Sequence, residues 1–185
     1  MNVFVLDKDP IVAAQMHCNA HVVKMILESA QMLSTVHRMC DGTLETRASK
    51  SGKSKVKYWR HEQPELEAAL YKAVHMKHPC TIWTQESKAN YQWHYQLFKA
   101  LSEEYQYRYG KVHTTWTKLK DVLSNNPRNI PDGGLTPFKL AMGAQPQCIN
   151  NDDPVGSYRK FYKTKQARFK MNWTKRPVPE WFTSP

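Results

Sequence analysis

Along residues 9–42, apolar side chains cover most of a helical circumference and polar ones gather in a single strip. Asp9 is a capping type, Pro10 suits a first helical position, and Asp41 with Gly42 can end the run, so one long helix is predicted. At about 100° per residue, His17, His21, Lys24, Glu28, Gln31 and Thr35 fall within a strip roughly 80° wide. Met16, Val22, Met25, Ile26, Met32 and Leu33 are among the residues filling the remainder. A surface helix carries an apolar stripe on a polar cylinder; this one carries the reverse. Burial on most sides is expected, with the strip facing a cleft, a ligand or a partner, or simply solvent. A second helix capped by Asn19 would take His17 out of the strip and leave His21, Lys24 and Glu28 together.

Residues 2–6 are a short apolar run, expected as an edge strand or an extended arm. Residues 43–60 are rich in Ser, Gly and Lys, expected as a mobile loop or loose hairpin. If extended, Lys53, Lys55 and Lys57 would share one side, with Trp59 beside Arg60 as a flat surface for a base. Further helices are predicted over 64–77, over 87–109 closed by Gly110, and over 112–124. The second of these spaces Tyr91, Tyr95, Phe98, Leu101 and Tyr105 three or four apart, a core-facing stripe. An irregular insertion, 125–157, follows, and then an aromatic-basic C-terminal segment, 158–185, opening with a helix that runs to Trp173. The sum is an all-α fold, one mostly helical domain over 1–185 with a short N-terminal arm and long loops.

At 185 residues and 41% hydrophobic, the chain can bury one sizeable core. No apolar run has the length of a membrane span, and the N-terminus lacks a signal-peptide pattern. Four cysteines with no C-x-x-C pair point to a reduced, intracellular setting. Charge changes the picture more. The net is +11, and fourteen of the 27 Lys/Arg lie in two acid-free stretches, 47–60 and 158–176, leaving thirteen against sixteen acids elsewhere. Such localisation is the footprint of a polyphosphate partner, here DNA, with no membrane and no obligate protein partner implied. Lys50, Lys53, Lys55, Lys57, Trp59, Arg60, Tyr158, Arg159, Lys160, Tyr162 and Lys163 are the candidate contacts, aromatic rings stacking on bases while cations hold phosphates.

His17, His21, Lys24 and Glu28 are the catalytic candidates. An amine that attacks the sugar carbon bearing a base expels the base and leaves a Schiff base; a neighbouring carboxylate steadies the positive charge and moves protons. No cofactor is required by this reading. A metal on His17 and His21 remains open, with a third ligand from His75, His78, His94 or His113. Glycine-rich phosphate loops and a G-x-S-x-G elbow are missing, against nucleoside-triphosphate hydrolysis and lipase-type chemistry.

The layout resembles the small phage pyrimidine-dimer DNA glycosylases of the endonuclease V type. An early helix carries His21 and, seven residues on, Glu28, matching that family's His and catalytic Glu. Tyr107, Arg108, Tyr109 and Gly110 resemble its Arg-aromatic-Gly turn, and Tyr158 to Tyr162 its aromatic-basic tail. The resemblance implies a phage origin, kinking or flipping of damaged DNA, base excision and strand cleavage by elimination. It covers about a third of the chain, and it departs at the nucleophile. The family uses the α-amine exposed when Met is removed, whereas residue 2 here is Asn, so the Met1 amine, Lys24 or water takes that place. Two alternatives stand beside it: a base- or nucleotide-modifying transferase using the same strip, and a non-catalytic nucleic-acid-binding protein.

Overall fold

The long apolar stretch is interrupted. In the computed structural model, which describes residues 1–183, α1 spans Pro10–Met16 and α2 spans Asn19–Asp41, with His17 and Cys18 extended between them. A helix broken in the interior strands carbonyls on one side and amides on the other, and here each finds a partner. His17 Nδ1–H donates to the Ala13 carbonyl at 2.7 Å, Arg108 to that of Gln15 at 3.0 Å, and Trp173 Nε1–H to that of Met16 at 2.8 Å. Beyond the break, the Cys18 amide donates to the Tyr162 hydroxyl at 3.0 Å and the Asn19 amide to the Asn172 carbonyl at 2.8 Å. The C-terminal segment therefore closes the break.

Helix α3 spans Pro64–Ala69, α4 Pro79–Gln85, α5 Lys88–Tyr109 and α6 Thr114–Leu123. Helix α5 packs against both α1 and α2, and α4 and α6 each touch α2 and α5. Ser87 caps α5 through the Asn90 amide, and Gly110 ends it at φ +66°, a conformation that favours glycine. The expected aromatic stripe faces inward: Tyr91, Phe98 and Leu101 are fully buried, Tyr95 and Tyr105 half-buried. Val3 to Leu6 is an arm with no strand partner among the described residues, buried along its length.

The all-α expectation is overturned by an antiparallel hairpin, β1 (Gly42–Ala48) and β2 (Lys55–His61), which makes the fold mixed α/β, 52% helical and 8% strand. Its register comes from side chains that sequence periodicity does not weigh. Glu45 accepts from Arg47 at 3.0 Å and from Arg60 at 2.5 Å, and the Arg47 guanidinium stacks 3.7 Å from the centre of the Tyr58 ring. The chain then turns at Gly52, φ +73°.

The helix expected over 64–77 stops eight residues early because Arg38 captures the backbone there. Almost fully buried, it donates five hydrogen bonds: to the carbonyls of Trp59, Glu67, Leu70 and Tyr71 and to the Glu67 carboxylate at 2.5 Å. All five guanidinium protons are thus used. The C-terminal helix is also shorter than expected: α7 spans Pro154–Lys163, a 3-10 turn follows at Thr164–Ala167, and α8 spans Glu180–Thr183. The insertion is irregular apart from a 3-10 turn at Pro146–Cys148 and the start of α7.

Removing a buried cation from such a set strands four carbonyls and a carboxylate, so Arg38→Met should lower unfolding free energy by about 3–5 kcal/mol. Urea denaturation followed by circular dichroism measures it; a loss below about 1 kcal/mol, the range of a surface substitution, would contradict this role for Arg38.

Candidate active-site cleft

The N-terminal arm is fixed by its own second residue. The Asn2 side chain accepts from the amides of Val3 at 2.8 Å and Phe4 at 3.1 Å and donates to the Ala141 carbonyl at 2.8 Å. Phe4 is thereby held at φ +46°, a region that bulky residues rarely enter. Strain of this kind persists where surrounding contacts over-determine it, and it collects at functional sites. Its ring stacks on His21 (centroids 4.9 Å apart, planes 19°) and lies 5.9 Å from Phe161. The turn sets Met1 over α2.

There the Met1 nitrogen lies 3.6 Å from one Glu28 oxygen, and Lys24 Nζ lies 3.1 Å from the other. Glu28 is 12% exposed, the Met1 side chain 5%, and Lys24 62%. These groups line a cleft of about 480 Å³ whose other walls are Phe4, His21, Met25, Ala141, Phe161, Lys165, Arg168 and Phe169. Lys165 sits 3.6 Å from the centre of the Phe161 ring; burial lowers its pKa, and Arg168 and Lys24 add repulsion. A carboxylate with amines on both oxygens, an aromatic floor and a cationic rim thus share one concavity.

The break between α1 and α2 removes His17 from the strip. Its ring is fully buried, faces Tyr162 and Phe4, and does not line the cleft. His21 does line it, with Nδ1 2.8 Å from the Tyr162 hydroxyl. Burial drives the His17 pKa down to about 4. Burial also takes that of His21 down to about 3, with help from His17, Lys24 and Lys165. Both rings are neutral near pH 7, so His21 offers a hydrogen bond rather than a stored proton. Lys24 is more exposed than a desolvated nucleophile requires. Farther along the strip, Thr35 leaves the cleft altogether, receiving the Val74 amide at 3.0 Å beneath the 70–78 segment.

The other candidates divide. Lys50, Lys53, Lys55, Lys57 and Arg60 are exposed on the hairpin. Lys55 and Lys57 share a face with Trp59, whereas Arg60 points to the opposite face and pairs with Glu45, so Trp59 and Arg60 do not form one surface. Tyr158 and Tyr162 are fully buried, their hydroxyls engaged with Lys139 and Cys18; stacking on bases is not open to them. Arg159 is bound to the Leu6 carbonyl and Asp7, Lys160 is exposed, and Lys163 is half-buried at the end of α7. Sequence reasoning missed Phe4, Phe161, Lys165, Arg168 and Phe169 as a set. Four of these five lie in the acid-free 158–176 stretch, which was a visible signal. Among the described residues, His17 and His21 belong to no group of three metal-capable side chains; the group that does exist is His37, Asp41 and His61.

Histidines with depressed folded pKa values protonate first in the unfolded chain, so stability is complete above about pH 6.5 and lost as pH falls toward about 4. For His17 alone the loss is about 3 kcal/mol. Urea unfolding at pH 7 and pH 5 should show the drop, reduced in His17→Gln; equal stability at both values would contradict the burial of neutral rings.

Compared with known proteins, the chain matches no family model, no curated protein and no solved structure.

Proposed function

We propose that the cleft is the active site of a DNA glycosylase/lyase acting on a damaged or modified pyrimidine nucleotide. The observation that carries this reading is the Glu28 carboxylate held between the Met1 and Lys24 amines, within a cleft floored by aromatic rings and rimmed by Lys165 and Arg168. The Met1 side chain is 5% exposed against 62% for Lys24, and the Met1 amine is the nucleophile in this proposal.

Glu28 takes the proton the amine must shed. The amine bonds to C1′ of the sugar, the bond from C1′ to the base breaks, and the base departs with the proton that Glu28 took, which returns Glu28 to its carboxylate form. The sugar ring opens to an imine on the protein. Abstraction of a C2′ proton by Glu28 then expels the 3′ phosphate, and water releases the sugar remnant. A negative carboxylate beside C1′ also stabilises the oxocarbenium-like charge that develops as the base leaves. Lys24, Lys165 and Arg168 suit the flanking phosphates, while Phe169, half-buried in the cleft wall, offers a face to an unstacked base. The hairpin begins at Gly42, fourteen residues past Glu28 or about 20 Å along α2. Its exposed lysines would meet phosphates about six nucleotides away at 3.4 Å per step. Support for this reading comes from His21 and Glu28 lining one cleft with an α-amine beside Glu28, as the resemblance to the phage pyrimidine-dimer glycosylases implies.

The experiment is borohydride trapping on duplex DNA carrying a pyrimidine dimer or an abasic site. A covalent adduct is expected, mapping to the first peptide rather than to Lys24. Glu28→Gln should slow cutting by a factor of about 10²–10⁴ while leaving the fold intact. Lys24→Ala should weaken binding and shallow its salt dependence but preserve the adduct. No adduct and no cutting would end this reading. A mass change on nucleosides in an uncut strand would replace it with the transferase.

A further inference from the structure

At the far end of α2 a second cluster has no part in that chemistry. His37 and Asp41 lie one turn apart on α2, and His61 ends β2; all three are at least 95% buried. Their ligand atoms lie within 4.8 Å of one another, and among the described residues Nδ1 of His37 and Nε2 of His61 have no hydrogen-bond partner. Two orphaned imidazole nitrogens converging on a carboxylate in a packed interior are costly unless something binds all three. We propose that His37 Nδ1, Asp41 and His61 Nε2 supply three of the four ligands of a tetrahedral site for a divalent transition metal of the zinc type, with water as the fourth.

The surroundings fit such a site. Nε2 of His37 lies 2.8 Å from the Tyr91 hydroxyl, whose own proton goes to the Leu123 carbonyl at 2.9 Å. The ring proton therefore sits on Nε2, leaving Nδ1 as a free donor of electrons, the outer arrangement that metal-bound histidines use. The Asn125 carbonyl lies near this ring but is not aligned as an acceptor for Nδ1. Backbone amides of Arg128 (2.7 Å) and Asn129 (2.9 Å) orient the Asp41 carboxylate, one on each oxygen. Gly42 pairs with His61 across the hairpin, and a side chain there would collide with the Arg38 and Arg60 carbonyls, so glycine permits the close approach.

Metal–ligand bonds of about 2.0–2.2 Å place tetrahedral donors roughly 3.4 Å apart, so binding would draw the three inward by about an ångström. It also moves the His61 ring proton to Nδ1, giving up the 3.1 Å hydrogen bond from the Gln63 amide. One neutral hydrogen bond is exchanged for three metal bonds. Two imidazoles and a carboxylate suit zinc, and the metal would tie the end of α2 to the hairpin base.

The test measures bound zinc in purified protein after dialysis, with melting followed before and after chelation. One equivalent is expected, with a melting temperature several degrees lower once zinc is removed. His75→Asn should behave as the unaltered protein, while His61→Gln should hold no zinc and melt independently of chelator. Should His61→Gln fail to fold, cobalt(II) titrated into the chelated unaltered protein must give the visible bands of tetrahedral coordination at one equivalent. Protein with less than a tenth of an equivalent of zinc and no cobalt bands would overturn the proposal, as would full zinc binding by folded His61→Gln.

Discussion

A helix cannot stop inside an apolar core unless its severed backbone groups find new partners. The break at His17 and Cys18 is the constraint on which the cleft depends. It is closed by His17 itself, by Arg108 of α5, and by Tyr162, Asn172 and Trp173 of the C-terminal segment. Arg108 is held in turn: it donates to Glu104 at 2.6 Å, and Glu104 also accepts from Arg176 at 2.8 Å. The bonds that mend the break also bring the 158–176 stretch alongside His21 and Glu28, so Lys165 and Arg168 line the cleft because the helix is broken.

The positive charge does more than attract an anion. Arg38, Arg108, Arg159 and Arg176 are consumed internally by carbonyls and carboxylates. Of the basic side chains left at the surface, two groups bear on the proposed site: Lys24, Lys165 and Arg168 surround an acid at the cleft, and exposed lysines run along the hairpin. Helix α2 spans the distance between them. An extended polyanion long enough to span that distance would meet both, whereas a small anion would meet only one.

Much of this was readable from residue order. Local signals carried the grouping of His21, Lys24 and Glu28, the long aromatic-striped helix with Ser87 before it and Gly110 after it, and the arm laid against the core. Other features were not settled locally, because their causes lie far along the chain. The break, open in the sequence as a second helix starting at Asn19, needed Tyr162 and Trp173, more than 140 residues away. Early termination of α3 needed Arg38, and hairpin register needed Glu45 set against Arg60. Tyr158 and Tyr162 resembled stacking residues because interleaved basic and aromatic positions are identical whether the rings face a base or a core; only packing separates the two. The His37, Asp41 and His61 group escaped because its third member lies 20 residues past Asp41, with spacing that matches no familiar ligand motif.

The central claim is that DNA engages the broken-helix cleft, with Glu28 at its base. Nuclear magnetic resonance of the labelled protein, titrated with a short duplex bearing an uncleavable abasic analogue, tests it most directly. The account predicts the largest shifts at Ala20, His21, Lys24, Glu28, Arg168 and Phe169, with smaller ones on the hairpin. Shifts confined to residues 42–61, with the cleft unmoved, would contradict it.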